Sequence, residues 1–93
     1  MRIPKHPGKL LKEEIDARDM SANKLASALG VPTNRISDII RERRNVTAET
    51  ALRLARFFGN SPEFWLRLQI KYDLGKANAE KGAAIRRTVK KAA

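Results

Sequence analysis

Between Thr33 and Asp38 the chain reads Thr-Asn-Arg-Ile-Ser-Asp, polar side chains set around one isoleucine. Such groups make hydrogen bonds rather than covalent bonds. The amide of Asn34 matches the donor and acceptor of adenine, the fork of Arg35 matches the two acceptors of guanine, and Thr33, Ser37 and Asp38 can donate or accept at neighbouring base edges. One good bidentate pair contributes about 1–3 kcal/mol of discrimination. Asn23 and Lys24 upstream, and Arg41, Arg43, Arg44 and Asn45 downstream, suit phosphate oxygens, which position a duplex without reading it. The competing description of the Arg41–Asn45 run is a solvated basic turn. Catalytic chemistry lacks its parts: there is no Cys, a single histidine (His6) beside Pro7, and no glycine-rich phosphate loop. An enzyme is excluded on that inventory, no metal site or cofactor is expected, and His6 is assigned to helping a helix start.

Base-reading side chains need a rigid element to hold them, and the punctuation of the sequence supplies five helices. The first opens at Pro7, where a missing N–H does no harm, and carries Leu11 and Ile15 on one face. Glu13, Glu14, Asp16 and Asp19 give it an acidic surface, expected to point away from phosphate. Ser21 N-caps a short second helix with Leu25, Ala26 and Leu29 at helical spacing, closed by Gly30. Val31-Pro32 then forces a turn, because the residue before proline is pushed out of the helical region. Helix three runs from Pro32 to about Arg41. On a wheel of about 100° per residue Ile39 and Ile40 fall near −60° and +40° of Ile36, whereas Ser37, Arg41, Asn34 and Asp38 span about 100° to 200°. The outward face is therefore short and polar. Asn, Ser and Thr are poor mid-helix residues unless engaged outside the helix.

Thr47 N-caps helix four, in which Ala51, Leu54, Ala55 and Phe58 form a buried stripe ending at Gly59. Ser61-Pro62 starts helix five. Phasing from Phe64 puts Leu68, Tyr72 and Trp65 within about 0–100° and Leu66, Ile70 and Leu74 within about 200–280°. With both sides apolar and no further chain to cover the second, a homodimer is expected through Pro62, Trp65, Leu66 and Ile70. The alternative is burial of helix five within its own domain, and Trp65 fits a core anchor as well as a contact.

Ninety-three residues suffice for one domain, and the net charge of +10 favours a polyanionic partner. Residues 76–93 carry six Lys/Arg and one acid but only Ile85 and Val89 as large apolar residues, so no fixed structure is expected there and the segment reads as a basic tail or a solvated one. Residues 1–75 form the domain proper. No apolar run approaches the roughly 20 residues of a membrane span, and Met1-Arg2-Ile3-Pro4-Lys5 lacks the apolar stretch of a leader, so a cytoplasmic location is expected and no membrane partner. RNA is disfavoured because Phe57, Phe58, Phe64, Trp65 and Tyr72 sit on core-facing helical positions rather than on a stacking platform.

The run from Ala22 to Ser37, with Ala26 at the helix contact, Gly30 at the turn and Leu25, Leu29, Val31, Ile36 and Ile39 beneath, resembles the helix-turn-helix of Cro/cI-type (XRE family) domains. His6-Pro7-Gly8, Gly30 to Ile36, Thr47 to Gly59 and Ser61 to Leu66 resemble, more narrowly, the HigA/VapI branch of antitoxins, over about residues 6–74. The resemblance implies an all-α, five-helix, lambda-repressor-like DNA-binding domain, usually dimeric, that represses its own toxin–antitoxin operon and neutralises a RelE-like (HigB-type) ribonuclease toxin. A stand-alone XRE-family repressor is the alternative. In such a dimer the recognition helices lie about 34 Å apart, one DNA turn, and require an inverted-repeat operator. On so basic a chain the toxin interface would be apolar or confined to the acidic first helix.

Overall fold

A computed structural model describes residues 3–92; Met1 and Arg2 of the N-terminal run and Ala93 of the basic tail lie outside the described residues. Five helices and no strand occur among them: α1 (Pro7–Ala17), α2 (Ala22–Leu29), α3 (Thr33–Ile40), α4 (Ala48–Phe58) and α5 (Pro62–Thr88). The starts follow local chemistry. Ser21 Oγ accepts from the Lys24 amide at 3.0 Å, Thr47 Oγ1 from Thr50 at 3.4 Å and Ser61 Oγ from Phe64 at 3.1 Å. His6 has the same role for α1, its Nδ1 accepting from the Gly8 amide at 2.9 Å. Each such cap stabilises its helix by about 1 kcal/mol. Pro32, expected as the first residue of helix three, is instead its N-cap, with extended backbone at φ −63° and ψ 147°.

The core gathers Leu11 and Ile15 of α1, Leu25 and Leu29 of α2, Ile36 and Ile39 of α3, Leu54 of α4 and Trp65 of α5, none more than 7% exposed. Burial of each large side chain stabilises by about 1.5–3 kcal/mol. α1 crosses α3 so closely that a Cβ on Gly8 would run into the carbonyl oxygen of Ile39. Trp65, expected among the dimer contacts, belongs to this core: it is 1% exposed, donates from Nε1 to Asn60 Oδ1 at 2.9 Å and lies against Phe58. Its surface is consumed within the protomer. Two other aromatic positions also differ from expectation, since Phe57 and Phe64 are each 39% exposed while Phe58 and Tyr72 are half-buried.

α5 corrects the reading of the tail. The helix continues unbroken to Thr88, so no backbone break occurs at 75/76, and residues 76–88 are helical rather than without fixed structure. Its first half packs on the domain and its second projects, which gives the molecule extents of 52 × 22 × 21 Å. No helix among the described residues is long and apolar enough to cross a membrane.

Candidate nucleic-acid interface

α3 is set on the surface by the corner at Gly30. That residue has φ 73° and ψ 35°, a left-handed conformation glycine adopts without a Cβ clash, and it closes α2 while Val31 N donates to Ala26 O at 3.0 Å. Pro32 then redirects the chain. The buried stripe of α3 is Ile36 and Ile39, both 0% exposed, so the opposite face turns outward as the wheel requires. Thr33 and Asn34 are exposed; Arg35, Ser37 and Asp38 are half-buried. All five of the expected base-reading positions thus share the outer face or its margins, on one short helix.

Several of these side chains are already engaged. Thr33 Oγ1 donates to Asn23 Oδ1 at 2.6 Å, tying the start of α3 to the start of α2 and joining two of the expected DNA-facing residues. Ser37 Oγ turns back to the carbonyl of Thr33 at 3.3 Å. Asp38 pairs with Arg44 at 3.6 Å, which brings the end of the basic loop against the recognition face. Arg35 Nη1 donates to Glu49 Oε1 at 2.7 Å, and the same oxygen lies 3.4 Å from Arg53 Nε. Arg53 Nη1 reaches the carbonyl of Leu29 at 2.8 Å. The Glu49 carboxyl is held below the usual carboxylate range, first by the hydrogen bond from Arg35 and then by the charge of Arg53.

The loop after α3 supplies the expected cations. Arg41, Arg43 and Arg44 are exposed, and Arg41 and Arg43 form no ion pair among the described residues. Glu42, the acid in their midst, adopts φ 62° and lies 4.0 Å from Lys9 of α1, so its charge is turned from the arginines. The loop is tied down by Gln69 of α5, which is 5% exposed. Gln69 Oε1 accepts from Val46 N at 2.7 Å, and its Nε2 donates to Asn45 Oδ1 at 3.2 Å and Asp73 Oδ1 at 3.0 Å. Lys24 is exposed near the start of α2. Glu49, Arg53 and Gln69 are therefore parts of the site that the sequence pattern leaves out. The i,i+4 spacing of Glu49 and Arg53, and a glutamine placed between Trp65 and Tyr72 on one helical face, are the only local signals of them.

Three sides of α3 are thereby defined: α2 and Asn23 before it, the arginine loop after it, and the Glu49–Arg53 pair of α4 beside it. Such a surface can hold two phosphate strands on either side of a groove and present amide, hydroxyl and guanidinium groups between them. Among the described residues no cluster of three His, Cys, Asp or Glu side chains could hold a metal ion.

The helix-turn-helix family HTH_3 matches residues 11–65. Virulence-associated protein I of Dichelobacter nodosus is 48% identical over 77 residues, 82% of this chain and 71% of that protein. Among solved structures, an addiction module antidote protein of a HigA family from Coxiella burnetii superposes with a TM-score of 0.94 at 49% identity, covering 98% of this chain and all of that one. The Pseudomonas aeruginosa antitoxin HigA, solved with the higBA promoter, superposes at 0.90 with 40% identity over 94% of this chain and 96% of its own.

Proposed function

Because the chain belongs to the Cro/cI-type (XRE) helix-turn-helix family, in its HigA/VapI antitoxin branch, we propose that it is a DNA-binding antitoxin that represses its own operon. One observation carries the proposal: the Gly30 corner holds Thr33, Asn34, Arg35, Ser37 and Asp38 along an outward face between two sets of basic or amide side chains. In this reading α3 enters the major groove and its first turn meets the bases, Asn34 at adenine and Arg35 at guanine. Asn23, Lys24, Arg41, Arg43, Arg44 and Asn45 grip phosphates, with Asn45 held in place by Gln69. The relative solved with its promoter supports the same use of this fold.

Two protomers bind an inverted repeat. The second apolar side of α5 supports this, since Ile70 and Leu74 are 55% and 66% exposed beside half-buried Pro62 and Leu66. The protein partner is a RelE-like, HigB-type toxin in the cytoplasm, met on an apolar surface or on the acidic face of α1. The relatives named as antitoxins support that half.

A gel shift on the DNA upstream of the chain's own gene, together with co-purification of the product of the adjacent small gene, tests both halves. A retarded band that scrambled DNA fails to compete, with a bound small basic protein, is expected. A specific shift without a bound protein leaves a stand-alone repressor, and no specific shift contradicts the proposal.

A further inference from the structure

Arg35 reaches the recognition surface with its side chain only 27% exposed, whereas that of Glu49, its partner, is 62% exposed. The two meet through one of the five N–H groups of the guanidinium, that on Nη1. Its Nε and Nη2 make no hydrogen bond among the described residues, so the planar edge that matches the two acceptors of guanine stays open. Glu49 itself is not loose. It sits in the first turn of α4, where the helix dipole favours a carboxylate, and Arg53 approaches it from the far side while bonding Leu29 O just before the Gly30 corner. The chain of contacts Arg35–Glu49–Arg53–Leu29 therefore closes a ring between α3, α4 and the end of α2.

An exposed ion pair of this kind adds little to stability. In a chain of net charge +10 whose partner is a polyanion, a carboxylate beside the recognition helix also weakens sequence-independent attraction. Its gain lies in order: holding a flexible arginine in place before binding preserves about two- to tenfold in affinity that freezing it would otherwise remove. We propose that Glu49 is a positioning residue for base reading, fixing the Arg35 guanidinium so that its open edge meets one base of the operator. The inference rests on α3 lying in the major groove.

The test is selection from a pool of duplexes with a randomised core, followed by titration of the recovered sequence and of an unrelated duplex. The proteins compared are the full chain, Glu49→Ala, Glu49→Gln, Arg35→Ala and the double variant Glu49→Ala/Arg35→Ala. Glu49→Ala is expected to lose about two- to tenfold of preference at a single base pair, the one Arg35→Ala relaxes, while its affinity for the unrelated duplex rises. Glu49→Gln, which keeps an acceptor for Nη1, is expected to restore much of that preference. The double variant should discriminate no worse than Arg35→Ala. If Arg35→Ala relaxes one position and Glu49→Ala leaves it intact, the positioning role is overturned and the groove reading stands. A parallel loss on both duplexes with a lowered melting point assigns Glu49 to the fold and also overturns it. If Arg35→Ala changes no preference at all, the base contact itself is wrong.

Discussion

Arg44 is the residue at which a phosphate contact can be separated from base reading. Its guanidinium lies at the end of an exposed basic loop and is held only by a 3.6 Å pair with Asp38. Arg44→Ala is expected to weaken binding to every duplex alike and to lower the slope of log affinity against log salt by about one, read from titrations at several salt concentrations. An unchanged slope would remove Arg44 from the phosphate set. His6 gives a second expectation, in stability. Burial holds its pKa below the ordinary 6.5, outweighing the opposing charges of Glu42 and Asp73, with Lys76 adding to the lowering. The unfolded chain therefore takes up a proton at a higher pH than the folded one. Stability is full above about pH 6.5 and falls as pH drops through the window between that value and the lower folded pKa. Protonation would also take the Nδ1 lone pair that caps Gly8. Denaturant midpoints measured on both sides of that window should show the loss, and His6→Asn, which keeps a capping oxygen, should flatten it; an equal loss in the variant would point to other groups. At this scale the outward polar face of α3 was legible because helical phasing alone places Thr33, Asn34 and Asp38 opposite Ile36. The engagement of Arg35 was not, because its acid lies on another helix and no periodicity spans them.

Among the elements, helix starts and stops were legible for the same reason that they are stable: a serine or threonine hydroxyl bonding an amide three residues on, or a glycine at positive φ, is chemistry contained in a few consecutive residues. The length of α5 was not. The expectation of an unstructured segment after residue 75 weighed burial alone, and little of that segment is buried. Extension of an anchored helix, however, needs no new nucleus, and Ala77, Ala79, Glu80, Lys81, Ala83, Ala84, Arg86 and Arg87 are strong helix formers. Trp65 was ambiguous on the wheel and became a core residue because Phe58 and Asn60 close over it. The crossing of α1 and α3 yields a sign-sensitive expectation. In an ordinary helix Gly→Ala stabilises by about 1 kcal/mol, but a Cβ at Gly8 meets the Ile39 carbonyl, and rigid backbone cannot yield as a side-chain tip can. Gly8→Ala should therefore destabilise by about 1–3 kcal/mol in equilibrium unfolding. A neutral or stabilising result would mean that the two helices are further apart.

For the molecule as a whole, charge and shape act together. An excess of ten positive charges draws the chain to any duplex, so selectivity has to come from the few side chains of α3 and from the spacing between two copies of it. The exposed Ile70 and Leu74 on α5 place the joint between copies. Sedimentation at micromolar concentration should give a dimer, and Ile70→Asp, which buries a charge in that joint, should give a folded monomer with strongly reduced operator affinity. A monomer in the unaltered chain would remove the joint and the inverted repeat with it. The most direct test of α3 as the reading helix is amide chemical-shift mapping of the full chain titrated with its own upstream duplex. The largest shifts should fall at residues 33–38, with a second set at 22–24 and 41–45 and little change on the acidic face of α1. Shifts concentrated on α1 or on the outer half of α5, with residues 33–38 unmoved, would contradict the account.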